Sequence, residues 1–401
     1  MDAALDPTMA ALLERADVAC ARTMIYEDDG LTLRQQRELT EIAAPPFGEG
    51  PRSERMAELM AAAGLERTER DALGNVVAWW GRASRAPLVV SAHLDTIFPQ
   101  GTDVRVRQDG DRWIGPGISD DGRGLAALLA LARALANGGI RPHRPILFAA
   151  TVGEEGEGDL RGVRYLFRRG GPAAEAAAFI SLDGAGLSRI VTGGLGSRRF
   201  RLTVRGPGGH SWVDWGTPNP IHALGRAVAA FTELALAQEP RTTLSVGRWS
   251  GGTSVNAIPQ DAWVELEVRS QSLAEIDSLD ARIRQSADDA LANVNQSANG
   301  RGRVQLAVEV IGDRPAGETE TGAPLVRAAM AATQAVGAAP ELAVSSTDAN
   351  IPMSLGIPAV TMGAGGEAGL AHTTDEWFRN KGGPEGILRA LLTVLRAADR
   401  E

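Results

Sequence analysis

The sequence predicts an α/β protein on a mixed, mainly parallel sheet, interrupted by a smaller α+β domain. Three observations carry that expectation. Short runs rich in apolar and β-branched residues alternate with helix-length segments over the first part of the chain. Several runs are apolar throughout, as strands covered by helices on both faces are. From residue 199 to 311 the order becomes strand, helix, strand, strand, helix, strand, the split βαβ arrangement.

Taken in order, Arg52 to Gly64 reads as a helix with glycine as its stop. Asn75 to Trp80 and Leu88 to Ala92 read as strands. Gly124 to Asn137 is a helix, preceded by Ser119-Asp-Asp-Gly, which puts acids at the positive end of its dipole. Ile146 to Thr151 and Phe179 to Leu182 are further strands. The Gly-rich segment Val191 to Ser197 reads as a hinge. Beyond it Arg199 to Arg205, Thr242 to Trp249, Ala262 to Arg269 and Arg303 to Ile311 read as strands. Pro220 to Ala235 and Leu273 to Leu291 read as helices. A strand at Ala359 to Met362 and a helix from Pro384 to Ala398 return to the first domain. The expected domains are therefore 1–194 together with 312–401, and an insert at 195–311 of about a hundred residues, a common domain size.

Composition narrows the function. A formal net charge of -9 argues against a nucleic-acid partner, because phosphate neutralisation needs clustered Lys and Arg. The single cysteine, Cys20, excludes an internal disulfide and a cysteine metal cage, and fits a reducing cytoplasm. The acidic start Met1-Asp-Ala-Ala-Leu-Asp has no basic region before an apolar run, so no targeting segment is expected. Leu125 to Leu135 is too short to span a bilayer and contains Arg133, so no membrane anchor is expected.

Metal-ligand chemistry is spread along the chain at expected strand ends. His93 follows the first apolar strand, and Asp95 is near enough to hold its other ring nitrogen. Asp120 precedes a helix, and its two carboxylate oxygens can face two cations. Glu154-Glu155 pairs two acids that would repel if both were buried and charged. A cation relieves one, and the other can act as a general base on water. Asp183 ends another strand, and His372 lies in a Gly-rich loop. Each alone also fits an ordinary cap, turn or solvated loop. The chain has five histidines, and two of them fall at such positions together with three carboxylate sites. That set suits two ions about 3.5–4 Å apart sharing a carboxylate. His-Glu-x-x-His is absent, which excludes a single-zinc protease of that type. The Gly115-x-Gly117 pair lacks the third glycine of a dinucleotide loop.

The inserted segment adds His210 in Gly-Gly-His-Ser211, Asn256-Ala-Ile-Pro259, and Arg269 at a strand end. A histidine N–H can support a developing oxyanion, and an arginine fork suits a carboxylate. A loop histidine bracing its turn and a surface arginine are the plainer readings.

Ser91-Ala-His-Leu-Asp95, Gly117-Ile-Ser-Asp-Asp121, Gly153-Glu-Glu155, Leu182-Asp183, Gly209-His-Ser211, Asn256-Ala-Ile-Pro259 and Ala371-His372 stand in one order from about Glu38 to Ala398. In that order the chain resembles the M20 family of zinc-dependent peptidases and deacylases. The resemblance implies an α/β/α catalytic domain of the zinc-peptidase type with a ferredoxin-like dimerisation or lid domain. It makes Asp120 the bridge between two ions, with His93 and Asp183 on one and Glu155 and His372 on the other. Asp95 would orient His93, and Glu154 would be the general base acting on the water between the ions. His210 would reach the active site of a partner in a homodimer formed through the insert. Asn256 and Arg269 would contact substrate. The chain departs from the family twice: Arg123 stands where many relatives have Lys, and Glu267-Val-Arg269 where many have Asp-x-Arg.

The expected activity is hydrolysis of amide bonds in small peptides by two divalent ions, zinc first, with manganese and cobalt as alternatives. Gly-Glu-Glu-Gly-Glu-Gly-Asp-Leu-Arg-Gly162 and Gly-Gly-His-Ser-Trp212 are more similar to peptidase T than to aminoacylases, which points to a di- or tripeptide aminopeptidase. The alternatives are an N-acyl amino acid deacylase and a non-catalytic metal-binding protein on the same scaffold.

Overall fold

The computed structural model describes residues 6–82, 86–298 and 300–399. The chain forms two compact units. One takes the chain up to Gly194 and again from Glu318; the other spans Leu195–Gly317.

The first unit is built on a sheet ordered Glu66–Arg70, Val76–Trp80, Ile146–Thr151, Leu88–His93, Ala178–Leu182, Ala359–Met362, Arg189–Gly194. Glu341–Ser345 pairs parallel with the last of these. The four strands from Ile146–Thr151 to Ala359–Met362 run parallel, and antiparallel partners flank them on each side. The period-two rule explains their uniform apolarity. Leu88, Val90 and Ala92 pack into one core, whereas Val89 points into another on the opposite face. Phe148 and Leu147 divide the same way. Burial of each such side chain contributes about 1.5–3 kcal/mol.

The helix Gly122–Asn137 lies in the larger core and is buried on nearly all sides. Its one charge near the end, Arg133, is accommodated by polar groups: Nη1 donates to Gln35 Oε1 at 2.6 Å and Nη2 to Thr32 Oγ1 at 2.9 Å. No helix among the described residues is long and apolar enough to cross a membrane.

The second unit has a four-stranded antiparallel sheet ordered Thr242–Gly251, Asp261–Ser270, Gly196–Arg205, Gln305–Arg314. Alternate residues Ala262, Val264, Leu266 and Val268 are buried with the apolar faces of helices Pro220–Thr232 and Leu273–Ser297. Ser272 starts the longer helix by accepting the Glu275 amide at 3.3 Å, the Ser-x-x-Glu start signal.

The Gly-rich segment Val191 to Ser197 carries the boundary between the two units, with Leu195 alone separating Arg189–Gly194 from Gly196–Arg205. Its glycines serve close packing. A Cβ on Gly193 would come within 3.0 Å of Val344, and one on Gly194 within 3.0 Å of Asn350.

Candidate metal centre

Parallel strands deliver their polar ends to one edge of the sheet, where ligands bind in such folds. His93 is the last residue of its strand, Glu154 and Glu155 follow Ile146–Thr151, and Asp183 follows Ala178–Leu182. The His93 amide donates to Asp121 Oδ2 at 3.0 Å. His93 Nδ1 lies 3.0 Å from the Asp95 carbonyl and donates to it, which leaves Nε2 to face Asp120 Oδ1 at 2.9 Å. The other oxygen of Asp120 lies 3.1 Å from His372 Nε2, and that nitrogen is 2.9 Å from Glu155 Oε1. One carboxylate therefore faces two imidazoles that are far apart in sequence.

Three groups of donor atoms each fall within 4.8 Å of one another: His93 with Glu154 and Glu155, His93 with Asp121 and Asp183, and Asp120 with Glu155 and His372. All seven sequence-selected residues of the first unit, Asp95 included, thus converge. Asp95 does so in an unexpected way. Its carboxylate is 3.8 Å from His93 Nδ1, and it is the backbone carbonyl that holds the ring. The carboxylate oxygens instead accept the amides of Glu154 at 2.9 Å and Glu155 at 2.7 Å. Gly153 makes the turn before them at φ +67°, and a Cβ there would strike the Arg161 guanidinium.

The electrostatics of the cluster suit a cation. Burial works against a charge on His93, but Asp120 and Asp95 outweigh it and hold the imidazole well above its ordinary range. Hydrogen bonds to Asp120 and Glu155 raise His372 to about 10. Burial, then repulsion from Asp120, pushes Asp183 up to about 7. Carboxylates crowding imidazoles is the imbalance that divalent ions relieve, since metal binding exchanges for such protons. Nitrogen and oxygen donors without sulfur suit zinc, manganese or cobalt.

Arg123 faces away from this chemistry. It is fully buried, donating from Nε to the Ala364 carbonyl at 2.8 Å and from Nη2 to the Gly383 carbonyl at 2.7 Å, with its guanidinium 5.3 Å from the Phe378 ring centre. It therefore ties the ends of the segment carrying His372 to the helix behind Asp120.

In the second unit, His210 pairs across two short strands with Ala257, and the Ser211 amide donates to the Asn256 carbonyl at 3.0 Å, so His210 and Asn256 are neighbours. The amides of Trp212 and Val213 donate to His210 Nδ1 at 3.2 and 3.4 Å, which places the ring proton on Nε2. Arg269 lies on a different strand, and its fork is filled by Glu267, at 2.7 and 3.0 Å.

Two residues carried no readable signal for their part here. Asp121 fits an ordinary helix cap, yet it accepts amides from His93, Gly124 and Gly184 and so joins two strand ends to the helix. Glu376 follows Asp375 in a polar loop and looks like a solvated acid, yet it is completely buried against the Asp120 loop.

This sheet and donor set define a metal-dependent hydrolase. Residues 89–398 match the model of peptidase family M20/M25/M40, and the chain belongs to that family. The uncharacterized protein YqjE of Bacillus subtilis is 28% identical over 297 residues, covering 71% of this chain and 74% of its own. A putative succinyl-diaminopimelate desuccinylase DapE of Mycobacterium tuberculosis is 28% identical over 338 residues, covering 80% and 85%. Aminopeptidase PepT of Bacillus cereus shares the fold, with a TM-score of 0.71 at 22% identity over 92% of this chain and 97% of its own.

Proposed function

We propose that the protein is a two-metal aminopeptidase acting on di- or tripeptides, loaded with zinc, with manganese and cobalt as the other candidates. The observation that carries the reading is Asp120, whose separate oxygens address His93 and His372 at 2.9 and 3.1 Å. His93 and Asp183 would hold one ion, Glu155 and His372 the other, and Asp120 both. The bound ions polarise the scissile carbonyl and lower the pKa of water. Glu154, buried beside His93 and Glu155, accepts the proton of the attacking water and returns it to the leaving amine. Asp95 keeps Glu154 and Glu155 in place through their amides.

We assign His210 to the oxyanion, because the residue is exposed and two amides occupy its Nδ1, which leaves the Nε2–H as its ring donor. It would act on the active site of a second subunit, in a homodimer formed through the inserted unit. The edge strand Thr242–Gly251 supports that assembly: it has one sheet partner, and Arg248 is its single charge. Asn256 beside His210 suits substrate contact. Arg269 would bind a substrate carboxylate only by releasing Glu267, which Arg199 Nε also holds at 2.9 Å. A cytoplasmic setting fits the lone, unpaired Cys20.

Glu154→Ala tests the base. It should keep its metal content and lose turnover by about 10²–10⁴-fold; undiminished turnover refutes the assignment. The second reading, an N-acyl amino acid deacylase, is favoured by the desuccinylase relative. Free tripeptides and their N-acetylated forms separate the two. Cleavage of the acetylated set alone selects the deacylase.

A further inference from the structure

We infer that Glu376 is a positioning residue for one of the two ions, locking His372 to Asp120; this rests on the two-ion reading above. His372 needs such a device. Its side chain is 52% exposed, so packing does not hold it. The residue itself sits at φ +66°, and Leu370 at φ +57°, a left-handed backbone uncommon outside glycine. The turn closes on itself through Thr373, whose amide and hydroxyl donate to the Leu370 carbonyl, and through the Glu376 amide, which donates to the Thr373 carbonyl.

Glu376 fastens this turn to the bridging carboxylate. Its Oε1 accepts the Ser119 amide at 2.7 Å, the Ser119 hydroxyl at 2.6 Å and the Asp120 amide at 2.9 Å. Its Oε2 accepts the Gly117 amide at 3.1 Å. Its own carbonyl accepts the Gly115 amide at 2.9 Å. With three donors on one oxygen and one on the other, the Glu376 carboxylate is engaged by the protein, and it falls in none of the three donor groups. The side chain thus joins the backbone of Asp120 to a turn that places His372 four residues earlier. Without it, Asp120, Glu155 and His372 lose their common reference, while His93 and Asp183 keep their strand-end anchors.

Zinc titration of the chelator-stripped full chain tests this, with wild type, Glu376→Ala, Glu376→Gln and Ser119→Ala compared and the fold of each followed by circular dichroism. Wild type should take two ions. Glu376→Ala should weaken the ion held by Glu155 and His372 about 10–100-fold, as loss of a group supporting a ligand does, and weaken less the ion that shares Asp120 but keeps His93 and Asp183. Glu376→Gln should recover part of the loss, because its oxygen still serves three donors while its amide faces the Gly117 N–H. Ser119→Ala, which removes one donor and leaves the backbone intact, should weaken the same ion several-fold less than the alanine variant, and it decides the matter if Glu376→Ala does not fold. Wild-type affinities for both ions in the folded variants overturn the inference, as does equal weakening of both. Fewer than two ions in wild type overturns the two-ion reading, and this inference with it.

Discussion

Asp95 accepts the amide proton of Glu155 at 2.7 Å, although the two lie 60 residues apart in sequence. The same residue takes the Glu154 amide on its second oxygen and His93 Nδ1 on its backbone carbonyl. Burial opposes its charge, but His93 and these two amides outweigh it and hold the carboxyl below its ordinary range. A charged acceptor is thus built into the join between the strand of His93 and the loop of the paired glutamates.

Asp95→Asn replaces one acceptor with a donor aimed at an amide N–H. The loop should shift while His93, held by the backbone carbonyl, keeps its place. The expected outcome is a loss of kcat/KM of about 10–100-fold together with weaker metal retention. Steady-state kinetics and metal content after dialysis measure both. Wild-type values for both would remove Asp95 from this role.

Arg123→Lys tests the other tie. An ammonium cannot reach the Ala364 and Gly383 carbonyls as the fork does, so one buried carbonyl loses its donor. Stability should fall by about 1.5–3 kcal/mol, the range for hydrogen bonds to charged groups. Chemical denaturation of the metal-free protein measures it. An unchanged midpoint would mean that the clamp contributes nothing.

Removal of metal should lower both activity and thermal stability. At a free concentration one hundred times the dissociation constant, one ion stabilises by about 2.7 kcal/mol. At roughly 1–2 °C per kcal/mol for a protein of this size, each ion should raise the transition by about 3–5 °C. Calorimetry of chelated and zinc-restored samples checks the shift, and identical transitions would contradict it.

The sequence disclosed the central strands because burial on both faces makes them apolar at every position, as in Leu88–His93. It disclosed His93, Glu155 and Asp183 as candidates because a polar residue ending such a run is conspicuous. It did not disclose the helix Asp29–Thr40, whose buried face includes Thr32, Gln35 and Gln36 rather than an apolar stripe. That face is polar for a reason: Gln36 Nε2 donates to the Ile118 carbonyl at 2.8 Å, next to the loop of Asp120. Glu376 was equally unreadable, because an acid beside another acid in a polar loop gives no sign of a buried partner 256 residues away. The close packing of Gly193 and Gly194, where a Cβ would crowd Val344 and Asn350, was not legible either, because the neighbours lie far away in sequence.

Crystals soaked in zinc and measured at the zinc absorption edge address the central claim most directly. Two anomalous peaks should appear, one on each side of the Asp120 carboxylate, with His93 and Asp183 at one and Glu155 and His372 at the other. A single peak, or none within reach of Asp120, would contradict the two-ion centre.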